Sequence, residues 1–162
     1  MSADPFVIDP DITNAHTPPA RFYIDPAYYE ASRDRVFRRS WQFVAGADAV
    51  KVPGQCHPIS ILGGCLDEPV LLTRDRSDRV HCLSNVCTHR GTILCEQGGV
   101  EKSLICRYHG RRFDLDGTFR SMPEFEGVQG FPSEADNLAR VPMGSWGGRD
   151  AAAGHGAFLF AS

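Results

Sequence analysis

Two short segments of the sequence each combine a thiol with an imidazole. Cys87 is followed two positions later by His89, and Cys106 is followed three positions later by His109. A structural zinc site usually takes its cysteines from one turn and its histidines from another, whereas a split-ligated [2Fe–2S] cluster places two cysteines on one iron and two histidines on the other. The mixed segments favour the cluster, because each loop would then contact both irons. A zinc-stabilised binding module with no redox role is the alternative.

Glycines follow both histidines closely. Gly91 and Gly110 can adopt backbone conformations closed to other residues, so they would let the loops fold tightly over a bound group. Backbone N–H groups turned toward the sulfurs, and imidazole in place of thiolate on one iron, would raise the reduction potential relative to an all-cysteine cluster. Histidines at the loop tips would be the exit for an electron. If their free nitrogens face solvent, reduction favours protonation and the potential depends on pH.

Length and composition set the scale of the protein that carries these segments. The chain has 162 residues, about one domain with an extended arm. A balance of 20 acidic against 17 basic residues gives a formal net charge of -3, which argues against a nucleic-acid partner. No run approaches the ~18 apolar residues of a membrane span, and the first ten residues lack the pattern of a signal peptide. These observations predict a cytoplasmic protein with no membrane partner.

Cysteine use agrees with that compartment. In a reducing cytoplasm, cysteines are more often metal ligands or small buried side chains than disulfides. The cysteines and histidines outside the two segments show no second motif, and we interpret them as structural or surface residues: Cys56, Cys65, Cys82, Cys95, His16, His57, His81 and His155.

The sequence divides into an extended arm with one short helix over 1–40 and a β-rich domain over 41–162. Five prolines disfavour regular structure in residues 1–26, since each lacks a backbone donor. Asp25-Pro26 then provides an N-cap followed by proline at the first helical position, which predicts a helix over 26–39. From Trp41 onward, short apolar runs separated by Gly, Pro and Asp clusters predict a mainly β fold, an antiparallel β-sandwich or barrel with two cluster-binding hairpin loops.

The predicted strands are short. They cover residues 41–44, 58–62, 70–73, 80–83, 103–106, 112–115, 118–120, 138–141 and 157–161. Asp116-Gly117 predicts the tight turn of a hairpin, because this pair tolerates the positive φ values of a two-residue turn. Residues 121–137 are predicted to form a loop, and a connection rich in Gly and Ala over 147–156 is predicted to join the last two strands.

Both segments match the Rieske cluster motif, as Cys87-Thr88-His89-Arg90-Gly91 and Cys106-Arg107-Tyr108-His109-Gly110. The wider sequence resembles the N-terminal part of the α subunits of Rieske-type ring-hydroxylating oxygenases. The matching stretches are Ala20-Arg21-Phe22-Tyr23, Trp41-Gln42-Phe43-Val44, Asn85-Val86 directly before the first segment, Phe113-Asp114-Leu115-Asp116-Gly117 and Trp146-Gly147-Gly148. The resemblance implies a Rieske-type fold with one [2Fe–2S] cluster. Cys87 and Cys106 would then ligate one iron. His89 and His109 would ligate the other.

The same resemblance implies a function in electron transfer. The domain would receive single electrons from a ferredoxin or a flavin reductase and pass them to a mononuclear iron in a catalytic domain. That iron takes two histidines and one carboxylate in the family, and no pair of the remaining histidines has the close spacing required. We therefore expect no oxygenation from this chain alone, and a homo-oligomer of the full-length form stays open. A stand-alone Rieske ferredoxin-type carrier is the alternative, although it would not need residues 1–40.

Two departures from the family patterns are informative. Respiratory Rieske proteins carry an extra disulfide between the two loops, at the positions that Thr92 and Tyr108 occupy here. The oxygenase pattern usually has a tryptophan directly after the second His-Gly, where this chain has Arg111. We therefore expect the packing beside the second loop to differ from that of the family.

Four arginines lie in the two segments or directly after them: Arg90, Arg107, Arg111 and Arg112. They could form a docking face for an acidic redox partner, or they could neutralise the cluster and pair locally with Asp114 or Glu124. The sequence favours neither interpretation. Pro123 could likewise cover the cluster or serve only as a turn residue.

Overall fold

The computed structural model describes residues 6–148 and 157–162, which form a mainly β structure with antiparallel sheets. The helices are α1 (Arg21–Ile24) and α2 (Pro26–Arg35), and 3₁₀ turns cover Phe37–Arg39, Ala47–Val50 and Glu134–Asp136. The strands are β1 (Gln42–Gly46), β2 (Gln55–Ile61), β3 (Glu68–Arg74), β4 (Val80–Ser84), β5 (Gly99–Val100), β6 (Leu104–Ile105), β7 (Arg112–Phe113), β8 (Phe119–Ser121), β9 (Met143–Trp146) and β10 (Phe158–Ala161). The predicted fold class is confirmed. None of the helices in the described ranges has the length and hydropathy needed to cross a bilayer.

The part of the chain before Trp41 forms one unit and contains both helices. Asp25 caps α2, since its carboxylate accepts a hydrogen bond from the Ala27 N–H at 2.9 Å, and Pro26 occupies the first helical position. The α-helix ends at Arg35, and the remaining residues of the predicted helix form a 3₁₀ turn. The start of the helix is therefore predicted correctly, whereas the α-helix ends four residues before its predicted end.

A one-turn helix, α1, lies within the arm that the prolines predict to be extended. Proline lacks a donor but keeps its carbonyl acceptor, so the Pro19 carbonyl accepts the Phe22 N–H at 2.9 Å and starts the turn. The turn places the Phe22 ring centroid 5.6 Å from that of Phe6 and 6.0 Å from that of Tyr28. These aromatic contacts stabilise the turn within this unit.

The chain from Trp41 onward forms the second unit, which contains three antiparallel sheets. Their strand orders are β4-β3-β2-β5, β1-β10-β9 and β6-β7-β8. In the first sheet, Leu71 at the centre of β3 lies opposite Pro58 of β2 on one side and Leu83 of β4 on the other. Five consecutive residues of β3 are buried, as expected of a strand that is covered on both faces.

Two apolar cores lie on the two faces of β3. Leu71 belongs to one core, which also contains Cys87 and Cys106. Val70 and Leu72 belong to the other core, to which β1 and β10 contribute. Consecutive side chains of a strand point to opposite faces, so neighbouring residues of β3 reach different cores. β3 therefore connects the core that contains Cys87 and Cys106 to the core that contains residues of β1 and β10.

The hairpin predicted at Asp116-Gly117 is present between β7 and β8, but its turn is longer than predicted. β7 ends at Phe113, and residues 114–117 form the turn. The Asp114 N–H donates to the Thr118 carbonyl at 2.8 Å, and the Gly117 N–H donates to the Asp114 carbonyl at 3.0 Å. Gly117 has a φ of 88°, and a Cβ at this position would lie 2.9 Å from a methyl carbon of Leu83. Glycine is therefore required here both by the backbone and by the close packing.

The segment predicted as a strand over 138–141 runs beside β4 without forming a regular strand. The Ser84 N–H donates to the Ala139 carbonyl at 2.8 Å, and the Val141 N–H donates to the Cys82 carbonyl at 2.9 Å. Pro142 follows and cannot donate to a ladder, so the paired strand β9 begins only after it. Most of the predicted connection over 147–156 lies outside the described residues.

Val70→Ala is expected to lower the free energy of unfolding by about 2–3 kcal/mol, because it removes two methyl groups from a site that is 0% exposed and leaves a cavity. Val100→Ala is the matched control. It removes the same groups from β5, where Val100 is 63% exposed, and we expect a loss below about 0.5 kcal/mol. Urea unfolding followed by circular dichroism measures both. Equal losses would contradict the role given to β3.

Candidate functional site

The first loop of the candidate site, residues 87–92, follows β4 and is closed by two backbone hydrogen bonds. The Cys87 N–H donates to the Thr92 carbonyl at 2.8 Å, and the Gly91 N–H donates to the Cys87 carbonyl at 3.0 Å. Gly91 has a φ of 70°, in the left-handed region that glycine adopts without strain. The chain therefore turns back on itself and carries His89 in the middle of the loop.

The second loop, residues 106–111, connects β6 to β7 and repeats this hydrogen-bond pattern. The Cys106 N–H donates to the Arg111 carbonyl at 2.8 Å, and the Gly110 N–H donates to the Cys106 carbonyl at 2.9 Å. Gly110 has a φ of 73°. The spacing from cysteine to glycine is the same in both loops, although His109 stands one position later in its loop than the histidine of the first loop.

The two loops together form an inner pair of thiols and an outer pair of imidazoles. Cys87 and Cys106 are each 2% exposed and lie in the same apolar core. His89 and His109 are half-buried, and their ring centroids lie 4.8 Å apart with an angle of 67° between the rings. The structure thus brings together the four residues that the sequence singles out. Within residues 6–148 and 157–162, no three or more His, Cys, Asp or Glu side chains converge as ligands of a single ion.

The protonation and hydrogen bonding of these side chains fit a metal cluster. The Nδ1 atoms of His89 and His109 are buried, and neither has a hydrogen-bond partner among the described residues. A buried imidazole nitrogen without a partner is unfavourable, and a metal ion would satisfy it. Burial lowers the pKa of His89, and nearby positive charges lower it further, so the imidazole stays neutral as a metal ligand must. Burial raises the pKa of Cys87, so in the absence of metal the thiol keeps its proton.

Asn85 fixes the base of the first loop, a role that the sequence alone does not assign to it. It is buried at the end of β4, where its side-chain oxygen accepts the Cys95 N–H at 3.0 Å and its side-chain amide donates to the Cys95 carbonyl at 2.7 Å. Its own backbone carbonyl accepts the Leu94 N–H at 3.0 Å. Asn85 therefore ties together the two ends of the segment that contains the loop. The signals in the sequence are its place in the stretch that resembles the family, two residues before Cys87, and its position directly after a strand.

A third segment, residues 122–125, packs against both loops. A Cβ built on Gly110 would lie 3.2 Å from Cγ of Pro123, so the proline ring touches the second loop directly after His109. The Phe125 ring meets the His89 ring edge to face, with centroids 6.1 Å apart. These contacts support a covering role for Pro123, the interpretation that the sequence analysis leaves open.

The four arginines of the two segments have different surroundings. Arg111 is buried and forms an ion pair with Asp136, not with Asp114 or Glu124 as the local interpretation suggests. Asp114 instead pairs with Arg120 at 2.7 Å. The alternative of local pairing therefore does not hold for Arg111, since Asp136 stands 25 positions after it, beyond the reach of a local pattern. The other three side chains are exposed: Arg90, Arg107 and Arg112.

The remaining histidines occupy other parts of the fold. Nε2 of His81 lies 2.8 Å from a carboxylate oxygen of Asp75, and His57 is half-buried on β2. His16 is exposed in the first unit, and His155 lies outside the described residues.

The remaining cysteines lie in or beside the cores. Cys56 and Cys82 are buried, and burial raises the pKa of Cys56 to about 12 and that of Cys82 to about 11. Such thiols stay protonated and unreactive near neutral pH. Cys65 and Cys95 are half-buried, and the Cys95 thiol donates to the Gln97 carbonyl at 3.0 Å.

Both loops and the third segment fall within a known domain. The chain belongs to the Rieske [2Fe-2S] domain family, whose model matches residues 40–132. Its cofactor is therefore a Rieske-type [2Fe–2S] cluster, which is held by two cysteines and two histidines. The resemblance drawn from the two sequence segments is confirmed.

Within this family, the chain matches the N-terminal region of Rieske oxygenase α subunits. It is 32% identical over 141 residues to choline monooxygenase of Spinacia oleracea, covering 86% of this chain and 31% of that protein. It is 33% identical over 135 residues to the carnitine monooxygenase oxygenase subunit of Escherichia coli strain K12, covering 83% of this chain and 35% of that protein. The chain thus spans about a third of the length of these relatives.

Solved structures show the same fold. The apo form of a quaternary ammonium Rieske monooxygenase superposes with a TM-score of 0.76 at 24% identity, over 91% of this chain and 39% of that chain. Naphthalene 1,2-dioxygenase from Rhodococcus superposes with a TM-score of 0.73 at 22% identity, over 89% of this chain and 31% of that chain. The fold is therefore shared by monooxygenases and dioxygenases.

Gly110→Ala is expected to weaken the site more than Gly91→Ala. Both glycines have left-handed φ values, so alanine costs about 1–2 kcal/mol of strain at either position. At position 110 the new methyl group would also lie 3.2 Å from Cγ of Pro123, whereas no described atom lies within 4 Å of it at position 91. The iron content after reconstitution and the free energy of unfolding measure the difference.

The double variant Gly110→Ala/Pro123→Ala tests the cause. Removing the proline ring relieves the close contact but not the backbone strain, so we expect the double variant to recover to the level of Gly91→Ala. If Gly110→Ala and Gly91→Ala lose the same iron content and the same free energy of unfolding, Pro123 does not press on the second loop.

Proposed function

We propose that the two thiols bind one iron of the cluster and the two imidazoles bind the other. The ligands of the first iron are then Cys87 and Cys106. Those of the second iron are His89 and His109. The observation that carries this assignment is the pairing of side chains by type, with buried thiols inside and half-buried imidazoles whose Nδ1 atoms lack a partner among the described residues. When bound, the cluster supplies one-electron redox chemistry.

The function supported by this site is the transfer of single electrons within a Rieske oxygenase. The support is the match to α subunits of that family, of which this chain covers about a third. In this proposal a ferredoxin or a flavin reductase is the donor, and a mononuclear iron in a catalytic domain is the acceptor. The thiol chemistry of the site requires reduced cysteines, which supports a reducing compartment such as the cytoplasm.

The protein side chains around the two histidines would separate the thiols from water and leave one exposed edge. Pro123 and Phe125 cover the loops from one side. The Tyr108 ring stacks beside the His109 ring with centroids 3.8 Å apart, and Tyr108 is 58% exposed. A redox partner that contacts this tyrosine would approach the histidine pair closely, whereas the cysteines stay out of reach in the core.

Exposed positive charges next to the histidines support a donor with an acidic surface. Arg90 directly follows His89, and Arg107 precedes Tyr108 in the second loop. Both arginines are exposed. Long-range attraction to a negatively charged partner increases the rate of association and decreases with ionic strength. We therefore propose that the donor docks at this edge.

Cys87→Ser and His109→Ala are expected to abolish binding of the cluster, because each removes one of four ligands. Cys65→Ser and His57→Ala are the matched controls, since both residues lie outside the loops, and they should retain two irons per chain. Iron and sulfide analysis, bleaching of the visible bands by dithionite and the EPR spectrum of the reduced protein are the readouts. A colourless wild-type protein with one zinc per chain would refute the assignment.

Arg90→Gln is expected to slow reduction of the cluster by an acidic ferredoxin roughly threefold at low salt, and hardly at all at ~1 M salt, where charges are screened within ~3 Å. Stopped-flow absorbance gives the second-order rate constants. The matched control is Arg76→Gln, an exposed arginine in the turn before β4, at the opposite end of that strand from the first loop. If both variants slow the reaction equally, net charge alone accounts for the effect and the proposed docking edge is wrong.

A further inference from the structure

Arg111 is a buried cation beside the candidate ligands. It is the last residue of the second loop, its carbonyl accepts the Cys106 N–H at 2.8 Å, and its side chain is 3% exposed. The buried charge is costly unless it is paired and hydrogen-bonded. Its Nε has no hydrogen-bond partner among the described residues, so the pairing is incomplete. Stability alone is therefore a weak explanation for a guanidinium at this position.

Aromatic rings enclose the guanidinium. Its central carbon lies 4.9 Å from the ring centroid of Phe119, 5.6 Å from that of Phe131 and 5.8 Å from that of Phe113. The rings exclude water and attract the cation. The charge of Arg111 therefore acts through a medium of low dielectric constant, unlike the exposed charges of Arg90 and Arg107.

Asp136 orients this cation and also contacts the first loop. Its carboxylate accepts hydrogen bonds from Arg111 and from the Ser133 N–H, the latter at 2.7 Å. Its backbone carbonyl accepts the Thr88 hydroxyl at 2.9 Å. Asp136 thus links Thr88 of the first loop to Arg111 of the second loop.

The sign of the interaction follows from the charges. The guanidinium of Arg111 is a buried positive charge on the last residue of the loop that carries Cys106 and His109. A cation that stabilises negative charge at the ligands also stabilises the reduced form of a cluster, because reduction adds one electron to it.

We propose that Arg111, oriented by Asp136, is a positioning residue that raises the reduction potential of the cluster. This inference rests on the proposed ligation and adds a residue that the comparisons do not assign. The reaction concerned is the uptake of one electron from a reductant such as dithionite, with no bond to protein atoms made or broken. Arg111 links the two loops through Asp136 and would place a buried positive charge beside a cluster held by them.

The test measures the midpoint reduction potential of the cluster-loaded protein in two variants. One variant removes the positive charge of the ion pair, and the other removes its negative charge. Arg111→Gln removes the cation and leaves Asp136 without its charged partner. We therefore expect the equilibrium constant for reduction of the cluster to fall on the order of tenfold, which lowers the midpoint potential of a one-electron couple by ~59 mV. Asp136→Asn leaves the cation without its counter-charge, so the potential should rise. Arg111→Lys keeps the charge and should stay closer to the wild type than Arg111→Gln.

The matched control is Arg120→Gln, which breaks the exposed ion pair of Arg120 and Asp114 and should leave the potential unchanged. Shifts of opposite sign in Arg111→Gln and Asp136→Asn support the proposal. Shifts of the same sign, or no shift in either loaded variant, overturn it while the ligand assignment stands. If Arg111→Gln does not fold, Asp136→Asn and Arg111→Lys still decide the sign. A wild-type protein that binds no cluster overturns the ligand assignment and this inference together.

Discussion

Burying two cysteine thiols side by side is the constraint on which the second unit depends. Each thiol enters the core from a separate loop, and each cysteine closes its own loop by donating its backbone N–H and accepting at its carbonyl. The position of the sulfur is therefore fixed by the peptide groups of the same residue. Leu71 and Leu83 of the neighbouring strands fill the core beneath the thiols, so loop geometry and core packing depend on each other. Asn85 completes the arrangement, because a loop held only at its cysteine could still move as a hinge.

The charged residues near the site act over two different ranges. Exposed arginines such as Arg90 interact through water, so their influence is strongest on a partner that is still approaching and is reduced by salt. Arg111 is enclosed by rings, so its charge would act on nearby groups with little screening by water. In the two proposals above, the same residue type would serve recognition at the surface and electrostatic tuning inside. The difference arises from burial and from the carboxylate of Asp136, not from the sequence around each arginine.

Features set by neighbours in the sequence were predicted well, and features set by distant residues were not. The convergence of the cysteines and histidines follows from their spacing and from the glycines that close each loop, and the antiparallel β character follows from frequent Gly and Pro. The partner of Arg111 could not be found this way, because Asp136 stands 25 positions away, with β8 and the third segment between them. The role of Asn85 at the base of the first loop was missed, because a buried asparagine and an exposed one look alike in a sequence. The strand predicted over 138–141 was misplaced: that segment makes isolated hydrogen bonds to β4, and the paired strand begins only after Pro142.

The two-sided burial of β3 determines how the second unit responds to its cofactor. With Leu71 in one core and Leu72 in the other, a slip of one residue would exchange the two sets of side chains, so the strand has only one acceptable alignment. A ligand that binds only the folded loops adds its binding free energy to the folded state. Because β3 belongs to both cores, that added free energy is shared by the whole unit. We therefore expect cofactor binding to stabilise the sheet β1-β10-β9, whose core lies on the other face of β3, as well as the two loops.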